Sequence, residues 1–407
     1  MNSSRQPGTI PEPILLIPHY CSDTIKVRTL ELARALSIRH RAFYLEWESY
    51  PLSGSNGATK LAQRMRTDIS NILRLTSQRQ EGQLVRLRTP LLQSSIATRM
   101  GAGNLVPRVN QLFIDRLVRR FGIRTIVNSS DMLFSVDSAW PGLYIYDVVD
   151  DTIGENRSFY ERLAFSTIRR ESQKAQVVTT ISLTLREKLN TLLGVDAQYL
   201  PNGALLKSFE SVTEAQIAAL RQRLELHGRY VIGYIGNHTT FAGLHLLTES
   251  FQRLRREMPD AVLLVAGPVS PPNREYLNHP GIVCTGAISP DEVAVYFRAI
   301  DVGVLSFVKS PLTDGALPLK IIEYGAARKL VAATALDELQ RLSLPYVRLL
   351  PEDPDRWVDA LVQSRKEHWL PEWDKRVAAF DWSTIADRLP SMIQGVAPAP
   401  EKYQCST

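Results

Sequence analysis

Short apolar runs recur along the chain, and most are followed by a polar loop and then a helical repeat. The run Ile14–Ile17 leads into the loop Pro18-His19-Tyr20-Cys21-Ser22-Asp23, a helical pattern over about 25–36, and a second apolar run over 42–47. A strand, a helix and a strand joined by short connections is the order of a parallel sheet. Further strands are expected over 84–87, 125–128, 143–146 and 177–181, with loops over 51–55 and 78–82. Leu105, Val109, Leu112, Phe113 and Leu117 repeat at helical spacing, which predicts an amphipathic helix over about 105–120.

The second half repeats the scheme more clearly. Strands are expected over 230–235, 261–266, 281–285, 302–307 and 330–333. Helices fall between them, over about 244–257, from 289 onward, and over about 318–329. Ser289 suits an N-cap, Pro290 the first helical position, and Glu292 the far side of a capping box. The stretch 373–393 reads as helical. The fold class is therefore α/β, with two Rossmann-like domains facing each other. The boundaries are set at 1–205 and 206–372, with a helix and tail over 373–407.

Composition agrees with this division. A chain of 407 residues with 44% hydrophobic content is too long for one ordinary core. No apolar run is long enough for a membrane-spanning helix. The opening residues lack the basic-then-apolar order of a signal peptide, so the expected compartment is the cytoplasm. Cys21, Cys284 and Cys405 lie far apart with no CxxC, which argues against a disulfide framework and a zinc site.

Charge changes the picture in one place. From Lys60 to Arg124 there are 13 lysines and arginines against 3 acids, a local +10 in a chain of +6 overall. Such a field attracts polyanions: an anionic membrane surface through residues 60–124, or a phosphorylated acceptor. An ordinary solvated arginine-rich face is the competing reading. Nucleic acid is not expected, because only Phe113 and Phe121 lie among the arginines, too few for a row of stacking aromatics.

In open parallel sheets, ligands bind beyond the carboxyl ends of the strands. The most informative segment there is Thr313-Asp314-Gly315-Ala316-Leu317-Pro318-Leu319-Lys320-Ile321-Ile322-Glu323. Pro318 suits a helix start, and Leu317 before it cannot cap. Lys320 in the first turn opposes the helix dipole by about 0.3–1 kcal/mol. A bound diphosphate would reverse that sign and accept from both the lysine and the first N–H groups. Glu323 shares the Lys320 face and can accept from a ribose diol. A surface Lys–Glu pair is the plainer alternative. The loop with Gly236, Asn237 and His238 is Gly-bearing but not GxGxxG, and no GxxxxGK[ST] occurs. Dehydrogenase and P-loop readings are thereby weakened. In the first half, Asp147, Asp150 and Asp151 follow a strand end and suit general-base work on a hydroxyl. Crowded like charges should raise at least one of their pKa values. A metal site and a helix N-cap at Asp150 or Asp151 are the rivals. His19 and Tyr20 lie on another strand-end loop, on the acceptor side.

These residues resemble the glycosyltransferases of the GT-B architecture. The match is strongest over 230–334: Gly233-Tyr-Ile-Gly236, Leu263-Leu-Val-Ala-Gly-Pro268, Ile300-Asp-Val-Gly-Val304, Leu317-Pro-Leu-Lys-Ile-Ile-Glu-Tyr-Gly325 and Leu330-Val-Ala-Ala-Thr334 follow the group's order. Tyr146-Asp-Val-Val-Asp-Asp151, Val177-Val-Thr-Thr-Ile-Ser182 and Leu200-Pro-Asn-Gly203 are similar too. The Pro-Leu-Lys helix start is like that of bacterial exopolysaccharide, teichuronic-acid and xanthan-assembly transferases. The resemblance implies a nucleoside-diphosphate sugar donor, with diphosphate contacts from Lys320 and the Gly236 loop and a ribose contact from Glu323. It implies a saccharide or lipid-linked hydroxyl acceptor, no cofactor and no metal, and a C-terminal helix crossing back to the first domain. Many retaining members carry a glutamate where this chain has Gly315 beside Asp314, so a retaining mechanism is not carried over. A nucleotide-sugar epimerase and a non-catalytic glycan- or subunit-binding scaffold are the alternatives.

Overall fold

The computed structural model describes residues 10–21, 27–48, 57–92, 105–130, 133–151 and 159–394. The chain divides into two compact units: Met1–Ile181, Leu185–Leu200 and Ile385–Thr407 form the first, and Ser182–Thr184 with Pro201–Thr384 the second. Residues 201–205 and 373–384 thus group with the second unit, and the chain rejoins the first at Ile385. There Gln198 Nε2 donates to the Met392 carbonyl at 2.8 Å, and Arg39 pairs with Asp387.

The first unit holds eight strands: β1 (Ile14–Ile17), β2 (Ala42–Glu46), β3 (Ser77–Glu81), β4 (Leu84–Arg88), β5 (Thr125–Asn128), β6 (Leu143–Val148), β7 (Val177–Thr180) and β8 (Gln198–Tyr199). Their order is β3-β4-β2-β1-β5-β6-β7-β8, parallel except for β3. β1, β2, β5 and β7 are buried at every position, as strands covered on both faces are. Residues 78–82, read as a loop, are instead mostly strand. β3 is an exposed edge with the sequence SQRQE, so no apolar alternation marks it. Gly82, at φ +58, allows the tight turn into β4. The predicted loop over 51–55 lies outside the described residues.

The amphipathic helix Leu105–Phe121 forms where expected, but with a different inner face. Val106, Asn110, Ile114 and Leu117 are buried, whereas Leu105, Val109 and Leu112 are exposed. The first helix, Arg28–Ser37, and helices Gly57–Leu73, Phe159–Lys174 and Leu183–Leu193 also lie around this sheet.

The second unit holds β9 (Tyr230–Ile235), β10 (Ala261–Ala266), β11 (Ile282–Gly286), β12 (Val302–Leu305), β13 (Leu330–Thr334) and β14 (Val347–Leu350). Their order is β11-β10-β9-β12-β13-β14, all parallel. Helix Leu244–Glu257 buries Leu244, Leu247, Phe251 and Leu254, one stripe at helical spacing. Each such side chain stabilises the unit by about 1.5–3 kcal/mol. The capping box at Ser289 does not form. Pro290–Glu292 is a 3₁₀ turn without a side-chain cap, and the α-helix is Val293–Ala299. The helix expected from Pro318 begins one residue later, as Leu319–Ala326, with Pro318 itself in the cap position. In each sheet the strand order reverses beside the unit's first strand. The loops after β1 and β5, and after β9 and β12, are therefore the places to look for a ligand.

Candidate functional site

In the second unit, three elements meet around Lys320. Tyr324, one turn further along the same helix, fastens that helix to the sheet. Its single hydroxyl proton is shared between the Gly233 and Val304 carbonyls, at 2.8 and 3.1 Å, and its oxygen accepts from Ile235 N–H at 3.3 Å. The loop before the helix is held by Asn202 Nδ2, which donates to Leu317 O at 2.6 Å, and by Ser182 Oγ, which donates to Gly315 O at 2.6 Å. No side chain caps the helix start, so its first N–H groups face outward from a fixed frame.

The Lys320 amine then lies 4.5 Å from the Tyr234 ring centre and 5.4 Å from that of Phe307, and donates to Asn237 O at 3.0 Å. Burial pushes its pKa down to about 7, and the charge of Glu323 only partly opposes this. Glu323 is itself buried, at 8% exposure. Gly236 makes the arrangement possible. Its φ is +118, and a Cβ there would stand 2.5 Å from Lys320 Cε. Gly267, at φ +126, lets β10's loop close on the Gly236 carbonyl, where a Cβ would come within 2.0 Å.

The other expected donor residues take supporting places. His238 turns inward: it is fully buried, its Nε2 bonds Tyr234 O at 3.1 Å, and burial with the nearby Lys320 charge lowers its pKa to about 3. Its neutral ring is packed under the loop. Asn237 contributes its carbonyl to Lys320. Asp314 accepts from Asp337 N–H at 3.2 Å and lies 3.5 Å from Lys309 Nζ, so it braces the loop that Gly315 ends.

In the first unit, the three neighbouring aspartates separate into different roles. Asp147, at the end of β6, is fully buried. It accepts from Arg28 Nε and Nη2 at 3.0 and 3.1 Å, Ser129 Oγ at 3.1 Å and Thr179 Oγ1 at 2.8 Å. Four donor atoms use its acceptor capacity, so it anchors β6 to its neighbours. Asp151 has a buried side chain ion-paired with Lys188. Asp150 alone has an exposed carboxylate, 48% accessible, 3.2 Å from His19 Nε2. Desolvation raises its pKa, but the hydrogen bond and charge of His19 more than reverse this and leave it below the usual carboxylate value. The expected upward shift from like charges is thus absent at Asp150, because Arg28 and Lys188 hold Asp147 and Asp151 and His19 faces Asp150. His19 and Asp150 share a small cleft with Ser129, Tyr146 and Val149. Tyr20, half-exposed, meets His19 edge-on with ring centres 5.9 Å apart. Among the described residues no group of three or more possible metal ligands occurs.

The second unit, built around Lys320, can now be compared with known proteins. Its residues 229–366 match the family model of glycosyl transferases group 1. That stretch spans β9 to the helix Pro354–Ser364 and includes the whole Lys320 cluster. The chain is also 28% identical over 166 residues to a protein named as a teichuronic acid biosynthesis glycosyltransferase, TuaH of Bacillus subtilis. That alignment covers 40% of this chain and 38% of the relative's length. Among solved structures, sucrose-phosphate synthase from Thermosynechococcus elongatus superposes with a TM-score of 0.68 at 17% identity, covering 94% of this chain and 98% of that one. A trehalose-6-phosphate structure from E. coli bound with UDP-2-fluoro glucose gives 0.67 at 12% identity, covering 95% and 99%. The fold is GT-B: α/β, with two Rossmann-like units.

Reading the sequence alone misses Tyr234, Phe307 and Tyr324. Tyr324 carries the one available signal, since it stands four residues after Lys320 on the same helix. Nothing local links Arg28 to Asp147, 119 residues away.

Proposed function

We propose that the protein transfers a sugar from a nucleoside-diphosphate sugar to a hydroxyl acceptor in glycan biosynthesis. The carrying observation is the Lys320 cluster. An amine with a pKa near 7 sits at an uncapped helix start, beside a glycine loop, where the strand order reverses. An anion bound there would restore the lysine's charge and accept from the helix N–H groups. A leaving diphosphate would be stabilised the same way, by a fixed lysine and backbone donors in place of a metal ion. Glu323, three residues along the helix, is the candidate partner for a ribose diol.

On the acceptor side, Asp150 is the proposed proton acceptor, since its carboxylate is the exposed one of the three and His19 Nε2, 3.2 Å away, holds it in place. Asp147 and Asp151 are set aside for this step because Arg28 and Lys188 hold them. The names of the relatives speak for sugar transfer, and nothing favours the epimerase alternative. A hexosyl donor and a saccharide or lipid-linked acceptor are the finer reading, with the protein in the cytoplasm. Attachment to an anionic membrane is carried by other residues of the first unit.

Titration calorimetry with UDP-, GDP- and dTDP-sugars tests the donor half. One of them should bind, and Lys320→Ala should weaken it at least about tenfold. Equal affinity in wild type and Lys320→Ala would leave Lys320 without a part in donor binding. Release of free nucleoside diphosphate with an acceptor separates a transferase from a binding scaffold.

A further inference from the structure

The basic stretch of the first unit is not uniformly available. Arg74 pairs with Glu48, Arg86 with Glu46 and Glu81, and Arg88 with Glu46. By contrast, exposed Arg66, Arg108, Arg116 and Arg119 have no ion pair among the described residues. These four share two helices with most of the exposed large apolar side chains of this unit.

Helix Gly57–Leu73 is amphipathic in the wrong direction for a helix that only packs on its own sheet. Thr67 and Asn71 face inward, at 8% and 1% exposure. Asn71 is committed there: its Oδ1 accepts from Glu48 N–H at 3.1 Å and its Nδ2 donates to Glu48 O at 3.0 Å. Met65, Ile69 and Ile72, at successive turns, face solvent, and Leu73 and Leu75 beside them are 75% and 88% exposed. A helix usually turns its apolar stripe to the core. Helix Leu105–Phe121 shows the same feature: Leu105, Val109 and Leu112 form an outward row that continues into Arg116 and Arg119, with Arg108 among them. The two helices flank one short segment. Leu91 N–H donates to Asn71 O at 3.2 Å, Leu92 N–H to Asn110 Oδ1 at 2.7 Å, and Asn110 Nδ2 to Leu92 O at 2.8 Å. The two helices are therefore tied to adjacent residues, Leu91 and Leu92.

We propose that this two-helix face docks the protein on an anionic bilayer. The aliphatic side chains enter the headgroup–acyl boundary and the arginines meet lipid phosphates. Aliphatic rows bordered by arginines that have no ion pair among the described residues match the composition of interfacial helices. The occupant follows from charge and side-chain type. A second copy of the same face would set arginine against arginine. A protein partner favours aromatic anchors, and these outward rows present none. An anionic lipid surface supplies both the opposite charge and the apolar medium.

Vesicle sedimentation of the full chain tests this without any sugar substrate, so its outcome is independent of the transfer reaction. Vesicles containing phosphatidylglycerol should carry the protein down, and pure phosphatidylcholine vesicles should not. Ile69→Ser/Leu73→Ser/Leu112→Ser should lose at least about tenfold in partitioning, with an unchanged melting temperature because all three side chains are exposed. Arg108→Gln/Arg116→Gln/Arg119→Gln should weaken binding and flatten its dependence on salt. Equal partitioning into both vesicle types, or unchanged partitioning of the serine variant, would overturn the proposal. So would a wild-type dimer that the serine variant turns into monomer, since the face would then be a contact between copies.

Discussion

Lys320 makes donor binding a proton-linked event whose size follows from its surroundings. In the free protein its pKa falls from the ordinary 10.5 to about 7, first through burial and despite the charge of Glu323. At about 1.4 kcal/mol for each tenfold change, the full drop is worth about 5 kcal/mol. The side chain keeps some contact with solvent, so about 2–4 kcal/mol is the working range. The sign for stability is fixed by which state holds the proton. Between about 7 and 10.5 the unfolded chain binds a proton that the folded chain lacks, so the unliganded protein gains stability as pH rises through that window. A bound diphosphate reverses the preference and restores the proton. The free protein is about nine-tenths protonated here at about pH 6 and about one-tenth at about pH 8. Binding should therefore take up about 0.9 proton at about pH 8 and about 0.1 at about pH 6, and affinity should fall about tenfold between them. UDP-glucose is a suitable probe, since its diphosphate diester does not titrate in this range. Calorimetry in two buffers of different ionisation enthalpy reads the proton count directly. Lys320→Arg, which keeps its charge at every pH used, should bind without proton uptake. Near-zero uptake by the wild type at about pH 8, or a pH-independent affinity, would refute the reasoning.

Other outcomes follow from the same geometry. Gly236→Ala places a methyl 2.5 Å from Lys320 Cε on a backbone at φ +118; strain of about 1–3 kcal/mol should appear in melting, and donor affinity should fall at least about tenfold. Normal affinity would mean that Lys320 can bind the donor from another position. Asp147→Asn leaves Arg28 buried without its carboxylate and should cost about 3–5 kcal/mol in urea unfolding. Asp150→Asn should alter stability by no more than about 0.5 kcal/mol yet slow turnover by about a hundredfold. The reverse pattern would return the reactive role to Asp147. Turnover should also survive a chelator, because Lys320 and the helix start are assigned to the leaving diphosphate; loss of activity that added magnesium restores would overturn that assignment.

The second unit was more legible in the sequence than the first, for physical reasons. Strands β9 and β10 are continuous apolar runs, and helix Leu244–Glu257 carries its core stripe at regular spacing, so this helix and five of the six strands are located within a residue or two, while β14, with the sequence VRLL, was not expected. In the first unit, β3 is a polar edge strand whose only mark is its pairing with β4, a non-periodic signal. The apolar repeat of Leu105–Phe121 gave the right helix and the wrong face. Leu105, Val109 and Leu112 satisfy a helical period whether they face a core or a membrane, and only the inward hydrogen bonds of Asn110 distinguish the two. Hydrophobic periodicity reports a segregated face; it does not report what covers it.

The same distinction applies to the charged groups. Asp147, Asp150 and Asp151 look interchangeable as a run of acids after a strand, and electrostatics in isolation would raise one of their pKa values. The fold instead brings Arg28 from the first helix to Asp147 and Lys188 to Asp151, leaving Asp150 with a titratable partner, His19. An arginine fixes a carboxylate permanently, whereas a histidine can hold and release a proton near neutral pH. Chemistry is therefore assigned by the type of cation each acid meets, a long-range property absent from local spacing. Lys320 differs because the oddity was local: a cation in the first turn of an uncapped helix is disfavoured by that helix alone. The aromatic rings of Tyr234 and Phe307 deepen the penalty by taking the amine out of water. What makes the free site costly is also what makes an anion selective for it, since a diphosphate recovers the desolvation, the dipole and the proton together.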